Sequence, residues 1–180
     1  TRQLINIPVH LGLDHLPNIY CGVAVFVLLP LYIMCSKVNA REKIGKCVIL
    51  LIFLTAFNLN IPNYIWHGMH FPNSLPCRQS FIYIFFLLAM CYEAVINLKN
   101  STNRQLGASL WIAIGLLLIM EELFINSETE YSFKSVYISG IFILIYGLLM
   151  FIHNNAKFKI PVVLMLTFSV SIIECTMNMD

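Results

Sequence analysis

Six apolar runs take up most of this chain: Ile19–Cys35, Ile44–Leu59, Phe81–Leu98, Leu106–Phe124, Val136–Ile152 and Ile160–Met177. Crossing the hydrocarbon core of a bilayer takes about 20 apolar residues in a helix. Several of the runs are slightly shorter, but Lys43 and Lys46 at the head of the second can snorkel, and modest bilayer thinning costs little. Barrel strands would alternate in polarity over about ten residues, whereas these runs are apolar all round. The chain is 59% hydrophobic and 11% charged, against about 25% charged in a soluble domain. Lipid is therefore its expected solvent. The predicted fold is all-α: a polytopic transmembrane bundle of six spans, forming one membrane domain over 1–180, without repeats or linkers.

The basic residues sort by connector. Lys37, Arg41, Lys43, Lys46, Lys99, Arg104, Lys157 and Lys159 fall on one side, leaving Arg2, Arg78 and Lys134 on the other. Retention of Lys and Arg in the cytoplasm makes the side with eight basic residues internal. Both chain ends then face outward in a multi-pass cell-membrane protein. A net charge of +2 gives no footing for nucleic acid. Thr1 stands where a start Met would, with no signal segment after it, so the chain reads as an internal piece of a longer membrane protein.

Between the second and third runs lies a polar island, NYIWHGMHFPNSLPCRQSF at Asn63–Phe81. Pro62, Pro72 and Pro76 rule out one continuous helix, and Gly68 adds a flexible point. Backbone broken at a membrane must be covered by protein or line a wet cavity. Tyr64, Trp66 and Phe71 are rings suited to the headgroup level. The island is expected to fold into the outer interface and gather its polar groups at a cavity rim. Arg78, just before the third span, offers a guanidinium fork near a helix N-terminus, and both suit phosphate. His67 and His70 add hydrogen bonds or proton transfer. Each taken alone also fits a plain interfacial side chain; clustering favours a site. A metal is not expected, because His67 and His70 lack the further ligands that zinc requires.

Acids within the spans are costly unless paired or wet. Glu93 is expected to reach Lys99 or Arg104, and Glu121 with Glu122 to end the fourth span. Glu174 lies inside the sixth, one turn before Asn178 and on the same face, and is expected to join the island's cavity. The six cysteines show no metal spacing; Cys21 and Cys77 both fall outward, where a disulfide could join them. Asn100-Ser101-Thr102 fits a glycosylation triplet but falls on the inner side, as a turn.

LPNIYCG at Leu16–Gly22, the island itself and IIECTMN at Ile172–Asn178 resemble the YfhO family of bacterial membrane proteins, over essentially the whole chain. Members more often carry Pro-Tyr-Arg-Phe-Ser-Phe where this chain has Pro76-Cys77-Arg78-Gln79-Ser80-Phe81. The resemblance implies a GT-C-type glycosyltransferase that takes a sugar from a polyprenyl-phosphate donor and transfers it, on the outer face, to an envelope polymer such as teichoic acid. It places His67, His70, Asn73 and Arg78 in the family motif, and Glu174 with Asn178 in a late E-x-x-x-N, as a substrate-binding set. The catalytic aspartate it implies would belong to an earlier outer loop, outside this sequence. No cofactor is implied, and the remaining spans of the same protein would be partners. Two rival readings are a transporter or flippase for a lipid-linked or anionic solute and a non-catalytic membrane scaffold.

Overall fold

A computed structural model describes residues 19–66, 68–70, 79–125, 133–155 and 160–177, apart from the side chains at 60, 63, 123–125, 133 and 160. Among the described residues all regular secondary structure is helical. In chain order the helices are α1 (Val25–Met34), α2 (Ala40–Asn58), α3 (Asn60–Trp66), α4 (Ser80–Ile96), α5 (Asn103–Ile125), α6 (Phe133–Asn154) and α7 (Ile160–Met177), with a 3-10 turn at Leu98–Asn100 before α5. Each of the last five apolar runs coincides with one long helix. Two helices, over Asn103–Glu122 and Lys134–Asn154, are long and apolar enough to cross a membrane, and Val25–Met34, Ser80–Ile96 and Pro161–Met177 are shorter apolar helices.

The first run departs from its predicted span. Residues 19–22 are not helical, Val23 and Ala24 form a turn, and α1 has only ten residues. Ten residues rise about 15 Å, half of a hydrocarbon core. Despite its length α1 is the hub, packing against α4, α5 and α6. Val27, Leu31 and Tyr32 are almost wholly buried in it, with Val23 beside them.

Side chains from other helices close both ends of α1. At its C-terminus, Lys43 Nζ of α2 donates to the carbonyls of Ile33 (2.8 Å) and Cys35, and Gln105 Nε2 of α5 donates to that of Met34 (2.9 Å). These carbonyls have no partner within the helix, and a cation also complements the helix dipole there. At the other end, Glu174 of α7 accepts from the backbone N–H of Val23 at 2.6 Å.

Local signals explain the remaining boundaries. Asn39 caps α2 by accepting from the Arg41 N–H at 3.2 Å. Thr102 and Gln105 form a reciprocal capping box at the head of α5, the Thr102 N–H donating to Gln105 Oε1 (2.8 Å) and the Gln105 N–H to Thr102 Oγ1 (3.2 Å). The Asn100-Ser101-Thr102 triplet is thus a turn leading into that cap. Helix α3 was not foreseen in the polar island; Pro62 sits in its first turn, where a missing N–H costs nothing. It folds back on α2, with Trp66 edge-on to Phe53 at 4.9 Å between ring centroids. Gly68, at φ +68°, reverses the chain: its N–H donates to Ile65 and that of Met69 to Tyr64, the pairing that ends helices at a left-handed residue.

Helices α5 and α6 run antiparallel in close contact. A Cβ on Gly140 would lie 3.3 Å from Leu117, and one on Gly147 would lie 2.7 Å from Leu110. Both pairs fit a single antiparallel register, and small residues are what lets membrane helices approach. The outer surface is apolar: Ile44, Phe85, Trp111, Met165 and Phe168 are each more than 60% exposed. Hydrocarbon suits such a surface and water does not.

Candidate functional site

The expected site residues divide sharply. His67, Asn73, Arg78 and Asn178 lie outside the described residues, as does Cys77 and with it the Cys21 pairing. His70 is described and exposed, just after the reversal at Gly68. Among the described residues no group of three metal-ligating side chains comes together.

Glu174 is 3% exposed. With Val163 it is one of two buried residues among the described side chains of α7. Its Oε1 accepts from the Tyr20 hydroxyl at 2.5 Å and the Val23 N–H at 2.6 Å, and its Oε2 accepts from the Tyr146 hydroxyl at 2.5 Å. Tyr146 also lies 3.2 Å from Ser171 Oγ. Among the described residues, no lysine or arginine pairs with Glu174. The carboxylate therefore ties three pieces of chain together: the non-helical segment before α1, the middle of α6, and the end of α7. Its described partners do not come from the island. The Tyr20 and Tyr146 roles carried no local signal, because these bonds join residues 154 and 28 positions apart.

Glu93 also differs from expectation. It pairs with Lys46 of α2, which also pairs with Glu42 at 2.6 Å, rather than with Lys99 or Arg104. The Lys46 ammonium lies 5.6 Å from the centre of the Tyr32 ring. This cluster joins α2 to α4 beside the C-terminal end of α1.

An apolar cavity of about 410 Å³ lies beside α1. Ile19, Phe26, Leu29 and Ile33 form its floor; Tyr83 and Leu87 of α4 stand on one side, Ile112 and Leu116 of α5 on the other. Helices α4 and α5 both pack on α1 but make no comparable contact with each other. The cavity is thus a slot between two helices, floored by a third. Its volume falls in the range of ligand pockets, and its walls are hydrocarbon.

At the head of α4 stands Gln79, 2% exposed. Its carbonyl accepts from the N–H groups of Ile82 and Tyr83, while its side chain makes no capping bond. Neither Oε1 nor Nε2 has a hydrogen-bond partner among the described residues. Sequence reasoning passed over this residue; its only signal was a polar side chain where the resemblance described above implies phenylalanine.

Comparison with known proteins gives one match. The family model described as bacterial membrane protein YfhO aligns with residues 6–180. No curated protein and no solved structure matches the chain. The alignment takes in the slot, the Glu174 knot and the whole polar island, and the chain belongs to the YfhO family of bacterial membrane proteins.

Proposed function

We propose that this chain is the membrane portion of a glycosyltransferase that moves a sugar from a polyprenyl-phosphate donor to an envelope polymer, such as teichoic acid, on the outer face of the bacterial cell membrane. The slot between α4 and α5 is the observation that carries the reading. A polyprenyl phosphate joins a long hydrocarbon tail to an anionic head, and an apolar trough between helices suits the tail. Helix α4, which walls the slot with Tyr83 and Leu87, begins two residues after Arg78 in the sequence.

In this reading Arg78 and a histidine from His67 or His70 stabilise the departing lipid phosphate, and Asn73 and Asn178 complete the polar rim. An aspartate from outside this sequence takes the proton of the acceptor hydroxyl. Glu174, included in the same set by its E-x-x-x-N spacing, serves as a support, since both of its oxygens are occupied by internal donors.

The test is transfer by the full-length protein from a polyprenyl-phosphate sugar, run beside Arg78→Ala and Arg78→Lys. Both variants should lose donor use, because lysine lacks the planar fork. Transfer at the wild-type rate would reject the role of Arg78.

Movement of a lipid-linked or anionic solute is favoured by one observation. A half-length helix whose N-terminus meets a buried carboxylate resembles the broken helices of transporters. Flux across sealed vesicles without sugar transfer would select that reading.

A further inference from the structure

We infer that filling of the slot governs the docking of α3, the helix that precedes His67 and His70 in the chain, through a train of rings running Tyr83, Phe53, Trp66; this rests on reading the slot as the site of an apolar chain. Tyr83 is a wall of the slot. Its ring meets Phe57 edge-on at 5.5 Å between centroids and Phe53 edge-on at 6.4 Å. Phe53 in turn meets Trp66 of α3 at 4.9 Å. Phe53, Phe57 and Tyr83 are buried, whereas Trp66 is 44% exposed. Phe53 lines no part of the slot, so it belongs to neither end of the train and links the two.

Two independent features make α3 the movable end. Among the described helices its substantial contacts are with α2. The reversal that follows it runs through two left-handed residues, Gly68 at φ +68° and Met69 at φ +62°. The second is unfavourable for a residue that carries a side chain, and such backbone persists only where its surroundings hold it. At the other end, an apolar chain in the slot takes up the space into which the Tyr83 ring would otherwise turn. A buried ring beside unfilled space gives up packing contacts on that side and relaxes toward it. With the slot filled, Tyr83 is held against Phe53, Phe53 against Trp66, and α3 stays docked. Without such a chain, Tyr83 leans toward the slot and the hold on Trp66 slackens. A bound tail thus orders the segment that leads into the histidines, and binding and assembly of the polar rim become one event.

The test follows Trp66 by fluorine NMR in full-length protein labelled with fluorotryptophan and held in nanodiscs, the resonance being assigned by its loss in Trp66→Phe. Decaprenol, an uncharged chain, is the probe, and the amount bound is measured in the same samples by mass spectrometry. In wild type, bound decaprenol should shift and sharpen the Trp66 resonance. Phe53→Leu should bind decaprenol as wild type does, because Phe53 is not a slot residue, yet lose the response. Phe57→Leu removes a neighbouring ring that meets Tyr83 and Phe53 and should keep the response, since Phe53 still reaches Trp66. Decaprenol bound to wild type without a Trp66 response overturns the inference and leaves the slot reading intact. A response retained in Phe53→Leu, or lost equally in both leucine variants, also overturns it. Absence of bound decaprenol in wild type sinks the inference and the slot reading together. A Phe53-dependent response in a protein that transfers no sugar would sink the proposed activity and leave this inference standing.

Discussion

The hydroxyl of Tyr146 on α6 donates to Oε2 of Glu174 on α7 at 2.5 Å, while the other oxygen of that carboxylate holds Tyr20 and the Val23 N–H. One side chain from the last helix thereby anchors the non-helical approach to the central one. Since α1 floors the slot, the position of that floor depends on Glu174.

Glu174→Ala leaves two hydroxyls and one backbone N–H without their acceptor. Each buried group left unsatisfied costs about 1–3 kcal/mol, so the variant should lose about 3 kcal/mol or more. Glu174→Gln can keep the geometry. Its Oε1 accepts from Val23 and Tyr20, and its Nε2 donates to the Tyr146 oxygen, which turns its own proton to Ser171. Thermal unfolding in detergent should place the glutamine variant within about 1 kcal/mol of wild type. A glutamine variant as weak as the alanine one would show that negative charge, rather than hydrogen bonding, holds the knot.

Close approach of α5 and α6 gives a second expectation. A Cβ on Gly147 would come within 2.7 Å of Leu110 Cδ1, the far end of a flexible side chain. Gly147→Ala should therefore be mild, since Leu110 can turn aside. Gly147→Leu should cost about 1–3 kcal/mol by overpacking. Adding Leu110→Ala should recover much of that loss, because the two sites share one space and do not add independently. Stability of the double variant equal to the sum of the singles would refute the proposed contact.

Lys46 carries the third. It is bound to Glu93, with a side chain 32% exposed, and to Glu42, with a side chain 49% exposed. The more exposed pair is worth little, so Glu42→Gln should change stability by no more than about 0.5 kcal/mol. Lys46→Met strips Glu93 of its partner between α2 and α4 and should cost on the order of 1 kcal/mol. A Lys46→Met, Glu93→Leu double variant should regain that loss. Matching losses for Glu42→Gln and Lys46→Met would contradict the ranking.

Helix positions from α2 to α7 were legible in the sequence wherever an apolar run sets the length of the helix that buries it. Helix α1 was not, because hydropathy cannot tell an extended apolar stretch from a helical one. The Val23 N–H just ahead of the helix is held by a carboxylate 151 residues away. The φ of +93° at Gly22 marks the break, and a lone glycine in an apolar run gives no such warning. Pro62 was read as a breaker, yet a proline in a first turn is compatible with a helix, and α3 was missed. Glu93 was assigned to its chain neighbours because sequence shows neighbours along the chain, whereas Lys46 reaches it from another helix. For the candidate site, the burial of Glu174 fits a singular acid in an apolar helix, but its tyrosine partners were invisible in the sequence. Gln79 stood inside the quoted motif and was overlooked, since only its burial without partners sets it apart.

In the proposed function the slot between α4 and α5 holds the tail of a lipid-linked sugar donor. A photoreactive polyprenyl-phosphate sugar, cross-linked to the full-length protein in native membranes and mapped by mass spectrometry, tests it directly. Labelled peptides are expected from α1, α4 and α5 at slot residues such as Phe26, Leu87 and Leu116, suppressed by excess unlabelled donor. Donor-competed labelling confined to the outward faces of α2 or α7, with none at those slot residues, would contradict it.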